Sequence, residues 1–125
     1  MATFYDNLKS GGQCLILKNF TGARTYFAGA LILSTSSKQN NVSCLRTAQS
    51  YLRENNYTKA KTELQKVLVL STTGFYAASA YYYLGVIAQK EKSISAAKSN
   101  FTKALATVGV TPSQVSYIQS TGLIK

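Results

Sequence analysis

Three stretches decide the architecture: "NFTGARTYFAGAL" (19–31), "NYTKAKTELQKVL" (56–68) and "SISAAKSNFTKAL" (93–105), each beginning 37 residues after the one before. Aligned, they place Phe20, Tyr57 and Ile94 together, then Ala23, Ala60 and Ala97. Phe27, Leu64 and Phe101 follow, then Ala30, Val67 and Ala104, then Leu31, Leu68 and Leu105. Apolar positions spaced by three and four residues trace one face of an α-helix. Asn19, Asn56 and Ser93 stand where an N-cap satisfies the first free amides.

The segment before each of these also has helical spacing. Tyr81, Leu84 and Ala88 form an apolar stripe, with register equivalents Cys44, Thr47 and Tyr51, and before those Asn7, Ser10 and Cys14. Gly11, Ala48 and Gly85 recur one step later, and small residues at a fixed place let two helices approach closely. Each unit therefore reads as helix, short turn, helix. Three such units are expected over about 4–40, 41–77 and 78–111. The polar run "STSSKQNNVS" (34–43) reads as a loop or a helix start, and the three residues that stretch the period must lengthen a helix or an inter-repeat loop, expected around "STTGF" (71–75). At the end, Thr111 suits an N-cap, Pro112 the first helical position and Gly122 a C′ stop with Leu123 folding back. A capping helix over about 112–122 follows, its apolar face Val115 and Ile118.

These residues resemble the tetratricopeptide repeat (TPR) family. The third unit carries the likeness best, with Tyr81, Leu84-Gly85, Ala97, Phe101 and Ala104, and departs at Ala88, where a tyrosine is usual. The second unit keeps Tyr51 and the second helix but is weak at Cys44 and Thr47. The first keeps Gly11, Ala23, Phe27 and Ala30. The period of 37 exceeds the family's usual 34. The resemblance implies an all-α, TPR-like helical-hairpin solenoid of about seven helices, forming a single domain over residues 1–125.

It also implies a concave groove lined by the first helix of each repeat. The positions are Tyr5, Leu8, Gly12, Leu15 and Ile16, then Val42, Leu45, Gln49, Leu52 and Arg53, then Ser79, Tyr82, Val86, Gln89 and Lys90. So assigned, the groove is apolar at its N-terminal end and basic toward Arg53 and Lys90, a surface for an amphipathic or extended protein segment. The Lys and Asn with which some TPR proteins hold a chaperone's C-terminal carboxylate are missing from these positions.

The chain carries a net charge of +10 from 14 basic and 4 acidic residues, which points to an anionic partner. The basic residues follow the repeat: Arg24, Lys61 and Lys98, Lys66 and Lys103, Arg53 and Lys90, Lys18 and Lys92, Lys9 and Arg46. Stripes along an outer surface are expected from this. An acidic protein, nucleic acid and a membrane surface all fit the charge alone.

The content of 46% hydrophobic residues supports a folded core rather than a disordered tail. No apolar run approaches the roughly 20 residues of a spanning helix, and "MATFYDNLKS" does not read as a signal peptide, so an intracellular, cytoplasmic setting is expected. There is no histidine, and Asp6, Glu54, Glu63 and Glu91 are the only acids. Cys14 and Cys44 form no C-x-x-C and are expected as reduced thiols. No catalysis, metal or cofactor is implied. The Gly11-Gly12-Gln13 triplet matches the tip of peptide-release factors, but Gly11 is in register with Ala48 and Gly85 inside a helix, so the repeat accounts for it. The N-x-S/T triplets at Asn19, Asn41, Asn56 and Asn100 read as caps and solvated positions. The expectation is a non-catalytic adaptor or scaffold subunit, with a nucleic-acid-binding helical repeat and a self-assembling subunit as alternatives.

Overall fold

A computed structural model of the chain describes residues 2–124. Among them the order is α1 (Phe4–Ile16), α2 (Phe20–Ile32), α3 (Ser37–Arg53), α4 (Tyr57–Leu70), α5 (Gly74–Lys90), α6 (Ile94–Ala106) and α7 (Pro112–Ser120). There is no strand among the described residues, so the fold is all-α as the periodicity requires. The chain divides into two compact units, one running up to Lys66 and one from Val67 onward, with the division inside α4.

The first unit centres on Phe4, Leu8, Leu15, Ala23, Phe27 and Ala30, with Cys14, Phe20 and Val42 packed against them. Gly11 makes the α1–α2 approach possible, because a Cβ there would collide with the Phe27 ring. The second unit repeats the device, since a Cβ on Gly85 would stand 2.5 Å from the Phe101 ring. Its centre is Ala88, Ala97, Phe101, Ala104 and Ile118, with Tyr81, Tyr82 and Leu123 among the partly buried residues around it. Where the second repeat has Leu64 in place of phenylalanine, it has Ala48 in place of glycine, and both are buried. The smaller side chain leaves room for one more carbon.

The turns inside the repeats are one structure written three times. Lys18, Asn55 and Lys92 have φ of 61°, 62° and 62°. The amide after each donates back to the carbonyl five residues earlier, Asn19 to Cys14 at 2.8 Å, Asn56 to Tyr51 at 2.9 Å and Ser93 to Ala88 at 2.8 Å. Lys18, Asn55 and Lys92 themselves donate to Leu15, Leu52 and Gln89, each at 3.0 Å. This is a Schellman closure, for which glycine is the usual C′ residue. No glycine announces it here. The chain then caps the next helix at once: Asn19 Oδ1 accepts from the Gly22 amide at 3.0 Å and Asn56 Oδ1 from Lys59 at 3.3 Å. Ser93 holds the N-cap position of α6 but makes no side-chain cap bond.

Two boundaries differ from expectation. The second and third repeats begin at Ser37 and Gly74 rather than at 41 and 78, because α3 and α5 run 17 residues against 13 for α1. The extra residues of the period thus form an added helical turn. Only the short connections before Ser37 and Gly74 remain as loop. Ser36 Oγ accepts from the Gln39 amide at 3.2 Å, which starts α3 that early. At the C-terminus Thr111 and Gln114 form a reciprocal capping box with Pro112 inside it, as the sequence indicates. The helix stops at Ser120, and Gly122 takes φ of 69° beyond it.

Candidate functional site

The α1 helix presents Tyr5, Lys9, Gly12 and Ile16 on one stripe at intervals of four, three and four residues. Tyr5 is 68% and Ile16 77% exposed, and Leu17 just beyond is exposed as well. A Cβ on Gly12 would meet only Arg46 Nη1, at 3.8 Å, so the stripe has an open notch with a guanidinium at its rim. Arg53 Nη1 donates to the Leu15 carbonyl at 3.1 Å, closing the end of α1, and its guanidinium lies 5.5 Å from the Phe20 ring centre. The result is an exposed tyrosine and an exposed isoleucine at the two ends of a stripe that also carries Lys9, with Arg46 and Arg53 beside it.

The remaining groove positions do not all share this setting. Leu8, Leu15 and Leu45 are buried, so they fill the interior and are not accessible contact residues. Leu8 and Leu15 lie on the same side of α1 as Phe4, which turns them inward. Gln49 and Leu52 are half-buried. In the second unit α7 takes the place assigned to a partner. The Tyr117 ring meets Tyr82 edge-on at 5.7 Å, and its hydroxyl donates to Gln89 Oε1 at 3.0 Å. Gln114 Nε2 donates to the buried Ser79 Oγ at 2.9 Å, and Val86 packs against the core. Of that set Lys90 alone is exposed. Tyr81 is no deeper than Tyr82: both are half-buried against the same cluster.

The basic positions also divide. Arg24 is not an outward charge. It pairs with Glu54, stacks over the Tyr51 ring at 4.3 Å and donates to the buried Ser50 Oγ at 3.4 Å. The reason is Glu54, one of few acids, which the repeat places within its reach. Lys66 donates to Glu63 at 3.1 Å, and this contact raises its pKa first of all. Lys103 stands 5.7 Å over the Tyr81 ring. Lys98 is exposed, and Lys61 half-buried. Asp6 is engaged too: its carboxylate accepts from the Thr3 amide at 2.9 Å, and hydrogen bonds from Thr3 lower its pKa.

A cleft of about 270 Å³ opens within the first unit between α2, α3 and α4. Phe27, Ala28 and Leu31 form its apolar wall, and Ser43, Cys44 and Thr47 its wall on α3. Glu63 and Lys66 close it from α4, and Arg24 and Tyr51 from the remaining side. Ser43 is 1% exposed, and its Oγ makes no hydrogen bond among the described residues. Burial pushes the Cys44 thiol up, and the Glu63 charge and hydrogen bond push the same way. A thiol raised in this manner stays protonated near neutral pH and is a poor nucleophile. The cleft offers an apolar wall, a thiol on α3 and one ion pair. Repeat register alone does not find this cleft. Its signal in the sequence is the departure from the repeat at Cys44 and Thr47.

Among the described residues no three His, Cys, Asp or Glu side chains gather as metal ligands, and no helix is long and apolar enough to cross a membrane. No protein-family model matches the chain, and no curated protein aligns with it.

Proposed function

We propose that the chain is a non-catalytic protein-interaction module of the TPR type, an adaptor or scaffold subunit that takes an acidic, amphipathic helical segment along α1. The observation that carries this reading is the exposed pair Tyr5 and Ile16 at the two ends of the α1 stripe, with Lys9 between them and Arg46 at the Gly12 notch. An apolar face with regularly spaced anchors is what a helix in a groove requires. The sign of the charge selects the partner's other residues: 14 basic residues against 4 acidic ones give the chain a net charge of +10. The second unit supports the same use of the fold, since α7 is a helix that meets groove positions through an aromatic anchor, Tyr117.

A labelled acidic amphipathic peptide, followed by fluorescence anisotropy, tests this. Replacing both Tyr5 and Ile16 by Ala should weaken binding about 10-fold or more, because aromatic and aliphatic anchors carry most of such an interface. Between about 50 and 200 mM salt the affinity should fall only modestly, whereas several phosphate contacts would cost orders of magnitude. Steep loss with salt, indifference to the double substitution and equal binding of a single-stranded oligonucleotide would together favour a charge-only nucleic-acid surface and defeat the proposal.

A further inference from the structure

The cleft on α3 exists because the second repeat is short of side-chain volume. Cys44 and Thr47 occupy the register positions that hold Tyr81 and Leu84 in the third repeat, 37 residues on. The third repeat therefore shows what this position accommodates when it is filled. There the Tyr81 phenol ring lies under Lys103, whose Nζ is 5.7 Å from the ring centre. The residue 37 before Lys103 is Lys66, and Lys66 lines the cleft. One helix thus supplies a cation over a ring in the second unit, and its equivalent brings the same cation, paired with Glu63, to the cleft in the first.

We infer that this cleft binds a phenol ring, which supplies in trans the aromatic side chain that the second repeat lacks. The ring packs on the exposed faces of Ala28 and Leu31 and presents its own face to Lys66. An ammonium over an aromatic face is attractive, and burial strengthens it. Two sources carry this chemistry, a free small phenol and a tyrosine side chain of a partner. The site shares no residue with the α1 stripe, so it stands or falls separately from the adaptor reading.

Titration of the full chain with p-cresol, followed by amide chemical shifts, decides the matter. Saturable shifts are expected at residues of α2, α3 and α4 around the cleft, with a Kd on the order of 1 mM, suited to a ligand of this size. Cys44→Tyr should abolish p-cresol binding by filling the site. Should that variant not fold, Thr47→Leu should weaken binding at least about 10-fold on the same ground. Equal binding of N-acetyl-tyrosinamide identifies a partner's tyrosine as the occupant, and binding of p-cresol without it identifies a free phenol. Absence of saturable shifts up to about 10 mM, or shifts that persist unchanged in Cys44→Tyr and Thr47→Leu, would overturn the inference.

Discussion

Cys44 and Thr47 in the first unit, and Tyr81 and Leu84 in the second, occupy the same two positions of one repeat, yet the outcomes differ. In the second unit a phenol ring sits against the core with Lys103 over it. In the first, a thiol and a threonine leave a cleft whose rim carries Lys66. The backbone around them recurs with the repeat, down to the Schellman turns at Lys18, Asn55 and Lys92. The scaffold is thus one invention used three times, and individuality lies in which side chains fill it. A departure from an internal repeat marks a place where packing was given up, and such a place is the first to search for a ligand.

The comparison is sharpened first by what the units share. Phe27→Ala and Phe101→Ala should each destabilise by about 3–5 kcal/mol in denaturant melts, because both rings are wholly buried under a glycine. A large loss at one and a small loss at the other would show that the hairpins are not equivalent. Tyr81→Ala and Tyr82→Ala come next, at about 2 kcal/mol each, less than a fully buried aromatic costs. The register alone assigns Tyr81 to the core and leaves Tyr82 nearly without effect on stability. The half-burial of both, and the Tyr82–Tyr117 contact, bring them level.

Smaller effects separate the turns. Lys18→Gly and Lys92→Gly should each stabilise by up to about 1 kcal/mol, since a lysine is strained at positive φ and glycine is not. Asn55→Gly should gain less, because asparagine accepts this conformation more readily. A loss of stability at Lys18 or Lys92 would mean that the side chain contributes more than the strain costs. The smallest effect is alkaline. The Cys44 pKa is raised in the folded chain, so its contribution is fully present below the unfolded thiol value of about 8.5 and is lost as pH rises through the folded value. Stability should therefore decline above about pH 8.5, and Cys44→Ala should flatten the first part of that decline. The Tyr82 hydroxyl, raised by burial and by Tyr83, acts in the same direction at higher pH.

Much of the scaffold is legible in the sequence. Apolar spacing discloses the helices, Asn19 and Thr111 disclose caps, and Gly11 and Gly85 disclose close approaches. What is not legible has physical causes. The repeat turns lack the glycine that normally marks left-handed backbone, so Lys18 and Lys92 carry no signal. The added turn of α3 is hidden by a polar stretch equally good as loop or helix start, and that of α5 by the glycine, Gly74, that opens it. Arg24 looks like a surface charge because its partners, Glu54, Tyr51 and Ser50, lie 26 to 30 residues away and meet it only through tertiary packing. The face of Tyr82 looks free because nothing in one helix tells that another, α7, lies against it. Period arithmetic assigns positions; it does not say which of them a neighbour covers.

Cys44 stands, on this account, as an unfilled copy of the Tyr81 position. The most direct measurement is the equilibrium stability of the reciprocal pair, Cys44→Tyr and Tyr81→Cys. Cys44→Tyr should be more stable than the parent by about 1 kcal/mol, as filling a cavity commonly achieves, and Tyr81→Cys less stable by about 2 kcal/mol. Destabilisation of Cys44→Tyr by about 1–3 kcal/mol, the signature of an overpacked interior, would contradict the account.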